Sequence, residues 1–114
     1  MEYVIQEEEM AWQDHPRMRG GQYKGFYSRE KQGSLATIQL IKVQKGGGND
    51  LHVHEESDDI LYILSGKAKM EIEGIGAVQM TKGSCVRVPK NTKHRIYEVT
   101  EELIVFDVFA PPTR

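Results

Sequence analysis

Two histidines two residues apart, His52 and His54, lead the stretch HVHEESDDILYILSG, and Asp59 follows the second by five positions. A third imidazole, His94, closes a later stretch, GSCVRVPKNTKH. Side chains two apart on a strand share a face, so His52 and His54 can aim two nitrogen donors at one point. With His94 and Asp59 they make a donor set for a divalent transition metal. Imidazole suits iron, nickel, copper and zinc, and a carboxylate brings in manganese. Such a set leaves positions open on a six-coordinate ion, as catalysis needs. Three other acids lie close by. Asp58 would point to the opposite face of a strand that includes Asp59, while Glu55 and Glu56 belong to the preceding loop. The alternative is three histidines with surface or structural roles. His15, in Asp14-His15-Pro16, has no matching partner.

The elements that must hold these residues are strands. Glycines fall at the joints between short runs. LATIQLIKV, residues 35–43, is rich in aliphatic and β-branched side chains. KAKMEIE, 67–73, puts Ala68, Met70 and Ile72 on one face and charges on the other. ELIVFDVFA, 102–110, is apolar enough to be buried on much of both faces. No long amphipathic helix is apparent. Short strands with glycine turns read as an all-β sandwich or barrel. Residues 1–34 are read as an N-terminal arm or edge strands packed on a barrel of 35–110, with 111–114 a frayed tail. Within the arm, 3–5 suits a short strand, 7–10 a helical turn, and 17–28 a loop or edge region whose arginines are solvated.

The spacing within the two stretches goes further. Gly46 lies six before His52, and Gly66 seven after Asp59. Gly83, Pro89, Asn91 and His94 follow in turn, and sixteen residues separate Gly66 from Gly83. This order resembles the two motifs of the cupin superfamily, over residues 46–98. Three positions depart from that pattern: Asp59 for glutamate, Asn91 for glycine and Glu98 for asparagine. Asparagine tolerates the left-handed backbone of a turn glycine. Aspartate is one methylene shorter than glutamate, so Asp59 is expected to reach the ion directly, to bind through a water, or to leave a position open. The resemblance implies a double-stranded β-helix, or jelly roll, with a metal on His52, His54, Asp59 and His94. It implies a metal-dependent enzyme on a small organic substrate, of dioxygenase, isomerase, decarboxylase or lyase type. The alternative is a non-catalytic domain that binds or senses a small ligand. Small cupins of this kind are commonly homodimers.

Composition sets the outer bounds. The chain has 114 residues, 39% hydrophobic, with a net charge of -2. That is one domain with one core, and no basic field for nucleic acid. No apolar run approaches a membrane span, and a single cysteine, Cys85, fits a reducing cytoplasm. Cys85 reads as a buried thiol. Arg87 shares its strand face; turned inward, it would favour an anionic ligand. Trp12, alone in a polar segment, could cover a barrel mouth or an oligomer contact.

Overall fold

The computed structural model describes residues 3–114. Strands β1 (Gln13–Asp14), β2 (Arg19–Tyr27), β3 (Thr37–Gly48), β4 (Asp58–Ile72), β5 (Gly76–Thr81), β6 (Cys85–Val88) and β7 (His94–Ala110) carry the fold. One helical turn, α1 (Arg29–Gln32), lies between β2 and β3. All pairings between strands are antiparallel, in the order β1-β2-β3-β7-β4-β5, with β6 beside β4. The fold is a jelly-roll barrel.

Two long strands, β4 and β7, pair with each other over most of their length. Their free edges are shared out: β7 takes β3, while β4 takes β6 along its first half and β5 along its second. To line one interior throughout, each long strand must change phase. Along β4 the buried positions are Asp59, Leu61 and Ile63, then Ala68, Met70 and Ile72. Along β7 they are His94 and Ile96, then Val99, Leu103, Val105, Asp107 and Phe109. Side chains alternate with period two, so an odd-to-even switch needs an inserted residue. The β4–β7 register shifts fall where the switch occurs, between Ile63 and Lys69. Gly66 (φ 97°) and Glu98 (φ 46°) sit beside these shifts in left-handed backbone. Asn91 also takes left-handed backbone, φ 59°, as expected of asparagine in a glycine position.

The core is the aliphatic and methionine cluster inside this frame, including Val43, Ile63, Met70, Met80, Leu103 and Val105. The outer face of β7 is less buried than the apolar run 102–110 suggested: Phe106 is 37% exposed, next to Tyr62 at 43%. An antiparallel sheet with one solvated face tolerates this.

Other expectations need correction. Residues 3–5 form no strand, whereas the turn expected over 7–10 is present as a 3₁₀ turn at Glu7–Glu9. Most of the 17–28 segment is the nine-residue strand β2. Cys85 is exposed, because the short strand β6 turns Cys85 and Arg87 outward and Val88 inward. Arg87 pairs on the outside with Asp58, at 3.0 Å. Trp12 lies between the ammonium groups of Lys24 and Lys42, at 4.6 and 4.5 Å from its ring. The C-terminal segment is tied down rather than frayed. Thr37 Oγ1 donates to the Arg114 carbonyl (3.2 Å) and accepts from Thr113 N (3.0 Å), and Ser57 Oγ donates to the Pro111 carbonyl (2.6 Å).

The tightest backbone approach is at Gly66, where a Cβ would run into the Glu102 carbonyl oxygen. Positive φ adds strain to that clash. The variant Gly66→Ala is expected to lose about 3 kcal/mol or more of stability, read as the midpoint of chemical unfolding. Gly46→Ala, with nothing within 4 Å of its Cβ, should lose much less. Equal losses would contradict the close-approach account.

Candidate metal centre

Residues 49–57 are not a regular strand, contrary to the simplest view of His-x-His. They are an irregular segment fastened to the start of β7. His52 and His94 exchange both backbone hydrogen bonds, at 3.1 and 3.0 Å. Asn49 reaches further along β7: its N–H donates to the Ile96 carbonyl (3.0 Å) and its Oδ1 accepts from Ile96 N (2.7 Å). On the other side Asn91 N donates to the His54 carbonyl at 2.7 Å. These bonds fix where each imidazole begins.

The rings then converge. Centroids of His52, His54 and His94 lie 4.2 to 5.3 Å apart, and one nitrogen from each falls within 4.8 Å of the others. In two rings the far nitrogen is already committed. His52 Nδ1 faces the Asp50 carbonyl and His94 Nδ1 the Thr92 carbonyl, both at 2.9 Å. A carbonyl only accepts, so Nδ1 carries the proton and Nε2 keeps its lone pair. His94 Nε2 is buried without a hydrogen-bond partner. Burial lowers the pKa of all three imidazoles, that of His54 to about 4, helped by its two neighbours. At neutral pH the three rings are therefore neutral donors. Carbonyl-oriented imidazoles around an orphaned lone pair fit a transition-metal ion.

Asp59 faces the same cluster. Its Oδ2 lies 3.6 Å from His94 Nε2 and 3.9 Å from His54 Nε2. Glu55 and Glu56 are exposed and Asp58 is on the outer pair with Arg87, so none of them joins the site. Behind Asp59 stands Asp107 of β7. The two carboxyls are in hydrogen-bonding contact, and each has a buried Oδ1 with no other partner. Two adjacent buried carboxylates would repel strongly, so one proton is held between them. Burial pushes Asp59 up to about 6. Burial and the Asp59 charge raise Asp107 further. Gln39 of β3 donates to Asp107 Oδ2 at 3.1 Å, and Arg114 donates to Gln39 Oε1.

These groups line a cavity of about 560 Å³. Its apolar wall includes Ile41, Leu61, Met70, Ile96 and Phe109, and its rim includes His15, Arg17, Tyr23 and Arg114. His15 stays out of the imidazole cluster, its Nδ1 accepting from Arg17 N at 3.1 Å. The sequence reading missed Asp107, Gln39 and Arg114. The available signal was a lone acid in the otherwise apolar run ELIVFDVFA.

The fold and its cavity define a cupin. The chain matches the cupin domain family over residues 39–109 and belongs to it. It is 32% identical over 92 residues to an uncharacterized protein of Streptomyces coelicolor, covering 81% of this chain and 82% of that one. Among solved structures it is similar to KdgF from Halomonas sp., with 26% identity, coverage of 92% and 91%, and a TM-score of 0.77. It is also similar in fold to a predicted oxalate decarboxylase from Thermotoga maritima, with 24% identity, coverage of 95% and 98%, and a TM-score of 0.82.

The carboxyl pair has a consequence for stability. An unfolded aspartate releases its proton near pH 4, whereas folded Asp107 keeps it well above that. Between those pH values the folded state binds more protons, so stability falls as pH rises. Asparagine mimics the protonated acid at that position. In metal-free protein, Asp107→Asn should therefore raise the thermal midpoint at pH 8, by about 4 °C for each kcal/mol gained, and change it little at pH 4. A midpoint lowered at pH 8 would mean that Asp107 is ionised in the folded state.

Proposed function

We propose that this cupin is a metal-dependent enzyme acting on a small organic molecule. His52, His54 and His94 would hold a divalent transition ion through the nitrogens that face the cavity, with Asp59 as the oxygen donor or its immediate neighbour. The observation that carries this reading is the orphaned, carbonyl-oriented imidazole set opening on a cavity that also contains a buried carboxyl pair. When bound, the ion would act as a Lewis acid on a carbonyl or carboxylate oxygen of the substrate, or engage oxygen if it is iron.

The chain's own residues supply the rest. The backbone bridge between His52 and His94 keeps the donor nitrogens in place. Asp59 and Asp107 hold one proton within reach of the cluster, the position a general acid or base must occupy. Gln39 keeps Asp107 oriented. Ile41, Leu61 and Met70 exclude water from the floor of the cavity. A domain that only bound a ligand would not need a proton carrier beside the donors, and this favours catalysis over the binding reading.

We further propose a homodimer in the cytoplasm. The neighbouring outward residues Tyr62 and Phe106, with Leu64, offer an apolar contact face. Among the described residues no helix is long and apolar enough to cross a membrane. Sedimentation at high concentration should give twice the 13.0 kDa chain mass; a monomer alone would remove the dimer.

Metal content and turnover test the main reading together. Untagged protein is expected to carry about one equivalent of transition metal, and His94→Ala less than a tenth of that. Against pooled small metabolites followed by mass spectrometry, the loaded protein should consume a compound. Asp107→Asn should keep its metal and slow that consumption about a hundredfold. Full metal retention in His94→Ala would overturn the donor assignment. A compound retained but never converted would favour the binding domain.

A further inference from the structure

Six arginines occur in the chain, and three of them, Arg19, Arg87 and Arg95, are paired with carboxylates on the outside. The two that line the cavity, Arg17 and Arg114, have no carboxylate within 4.0 Å among the described residues. Their surroundings differ. Arg17 is exposed at the cavity rim, and no side chain of the described residues accepts from its guanidinium. Arg114 is half-buried, stacked over the Tyr23 ring at 5.0 Å, and donates to the neutral amide of Gln39.

The charge within the cavity is therefore unbalanced. Asp50 at the rim is engaged by Arg19 at 2.9 Å. Asp107 is engaged by Gln39, and neither Asp59 nor Asp107 pairs with an arginine. The two cavity guanidiniums are left without a carboxylate counter-charge. A protein surface pairs such charges, or leaves them to bulk water, unless a ligand is to supply the counter-charge. Guanidinium is weakly hydrated and matches carboxylate in a two-point fork.

We propose that Arg17 and Arg114 form an anion subsite of this cavity, which takes a carboxylate of the substrate and points the rest of the molecule toward the three histidines. The substrate class is then a small organic acid carrying a carboxylate in addition to the group that reacts. Arg114 is the anchor, because the Tyr23 ring and Gln39 hold its plane and the Thr37 bonds hold its backbone. Arg17, free at the rim, closes over the bound group. This assignment rests on the proposed function for the orientation of the substrate, but binding of the anion itself needs no metal.

Nuclear magnetic resonance of the whole chain tests it, with succinate as the anionic probe and succinamide as its neutral counterpart. Both are titrated into protein as purified and into protein stripped with a chelator. Succinate is expected to shift the side-chain Nε–H signals of Arg17 and Arg114 and to saturate in both preparations. Succinamide should shift neither. Arg17→Gln, an exposed change with no effect expected on folding or on metal content, should weaken succinate binding about tenfold, and Arg114→Gln at least as much. Arg87→Gln, on the outer face and outside the cavity, should leave it unaltered. Equal responses to succinate and succinamide, or tight succinate binding in the double variant, would overturn the subsite. Succinate binding to a chain that never takes up metal would keep the subsite and discard the metal-dependent reaction. Metal uptake without a succinate response would do the reverse.

Discussion

The phase of β7 is the constraint on which the site depends. This strand is paired along both edges over Ile104–Phe109, so its alternation is locked to β3 and β4 together. With that phase, Leu103, Val105, Asp107 and Phe109 face inward and Ile104, Phe106 and Val108 outward. A slip of one residue would put Phe106 in the cavity and Asp107 in solvent. The bulge region around Glu98 then converts the odd phase to the even one, and this is what brings His94 and Ile96 to the same interior. Without that conversion one end of β7 would lose either its core residues or its imidazole. Glu98 adopts a left-handed backbone where asparagine would do so at lower cost. Its carboxylate pairs with Lys69 on the adjoining strand at 3.0 Å.

From that frame the electrostatics follow. A jelly-roll interior is apolar because its strands alternate, and an acid placed on the inward face must find a partner or a proton. Asp107 finds both. Its register partner on β3 is Gln39, whose amide can donate, and diagonally on β4 stands Asp59. The result is a polar row, Arg114 to Gln39 to Asp107 to Asp59, running from the C-terminal segment to the imidazole cluster. The row accounts for the docking of residues 113–114 against Thr37. A guanidinium that serves a buried amide needs its backbone held, and Thr37 supplies three bonds to that segment.

The parts of the site legible in the sequence are those with local spacing. His52, His54 and Asp59 lie within eight residues, and His94 closes a patterned turn, so their convergence could be expected before any coordinates. The phase of KAKMEIE was equally plain, and Ala68, Met70 and Ile72 are buried as its alternation requires. Asp107, Gln39 and Arg114 were not legible. Each is a single polar residue whose role exists only through partners 68 to 75 positions away. The facing of Arg87 was left open, and the structure turns it outward. Whether an arginine on a short strand or rim faces a cavity depends on bulges and strand order, and periodicity does not report these. Cys85 shows the same limit, since edge position rather than residue type decided its exposure.

The exchange of glutamate for Asp59 now has a physical meaning. Two donors on one transition-metal ion, each about 2.1 Å from it, lie about 3.0 to 3.4 Å apart. Asp59 Oδ2 stands 3.6 and 3.9 Å from two imidazole nitrogens, at the edge of their cluster. A side chain one methylene longer would carry its carboxylate past Asp107 and toward the imidazoles. The shorter one keeps Oδ2 beside the histidines while its carboxyl stays in contact with Asp107. Under the proposed function, Asp59 would therefore connect the ion to the buried proton. A ligand entering beneath the arginines would meet the Lewis acid and the proton carrier on the same side of the cavity.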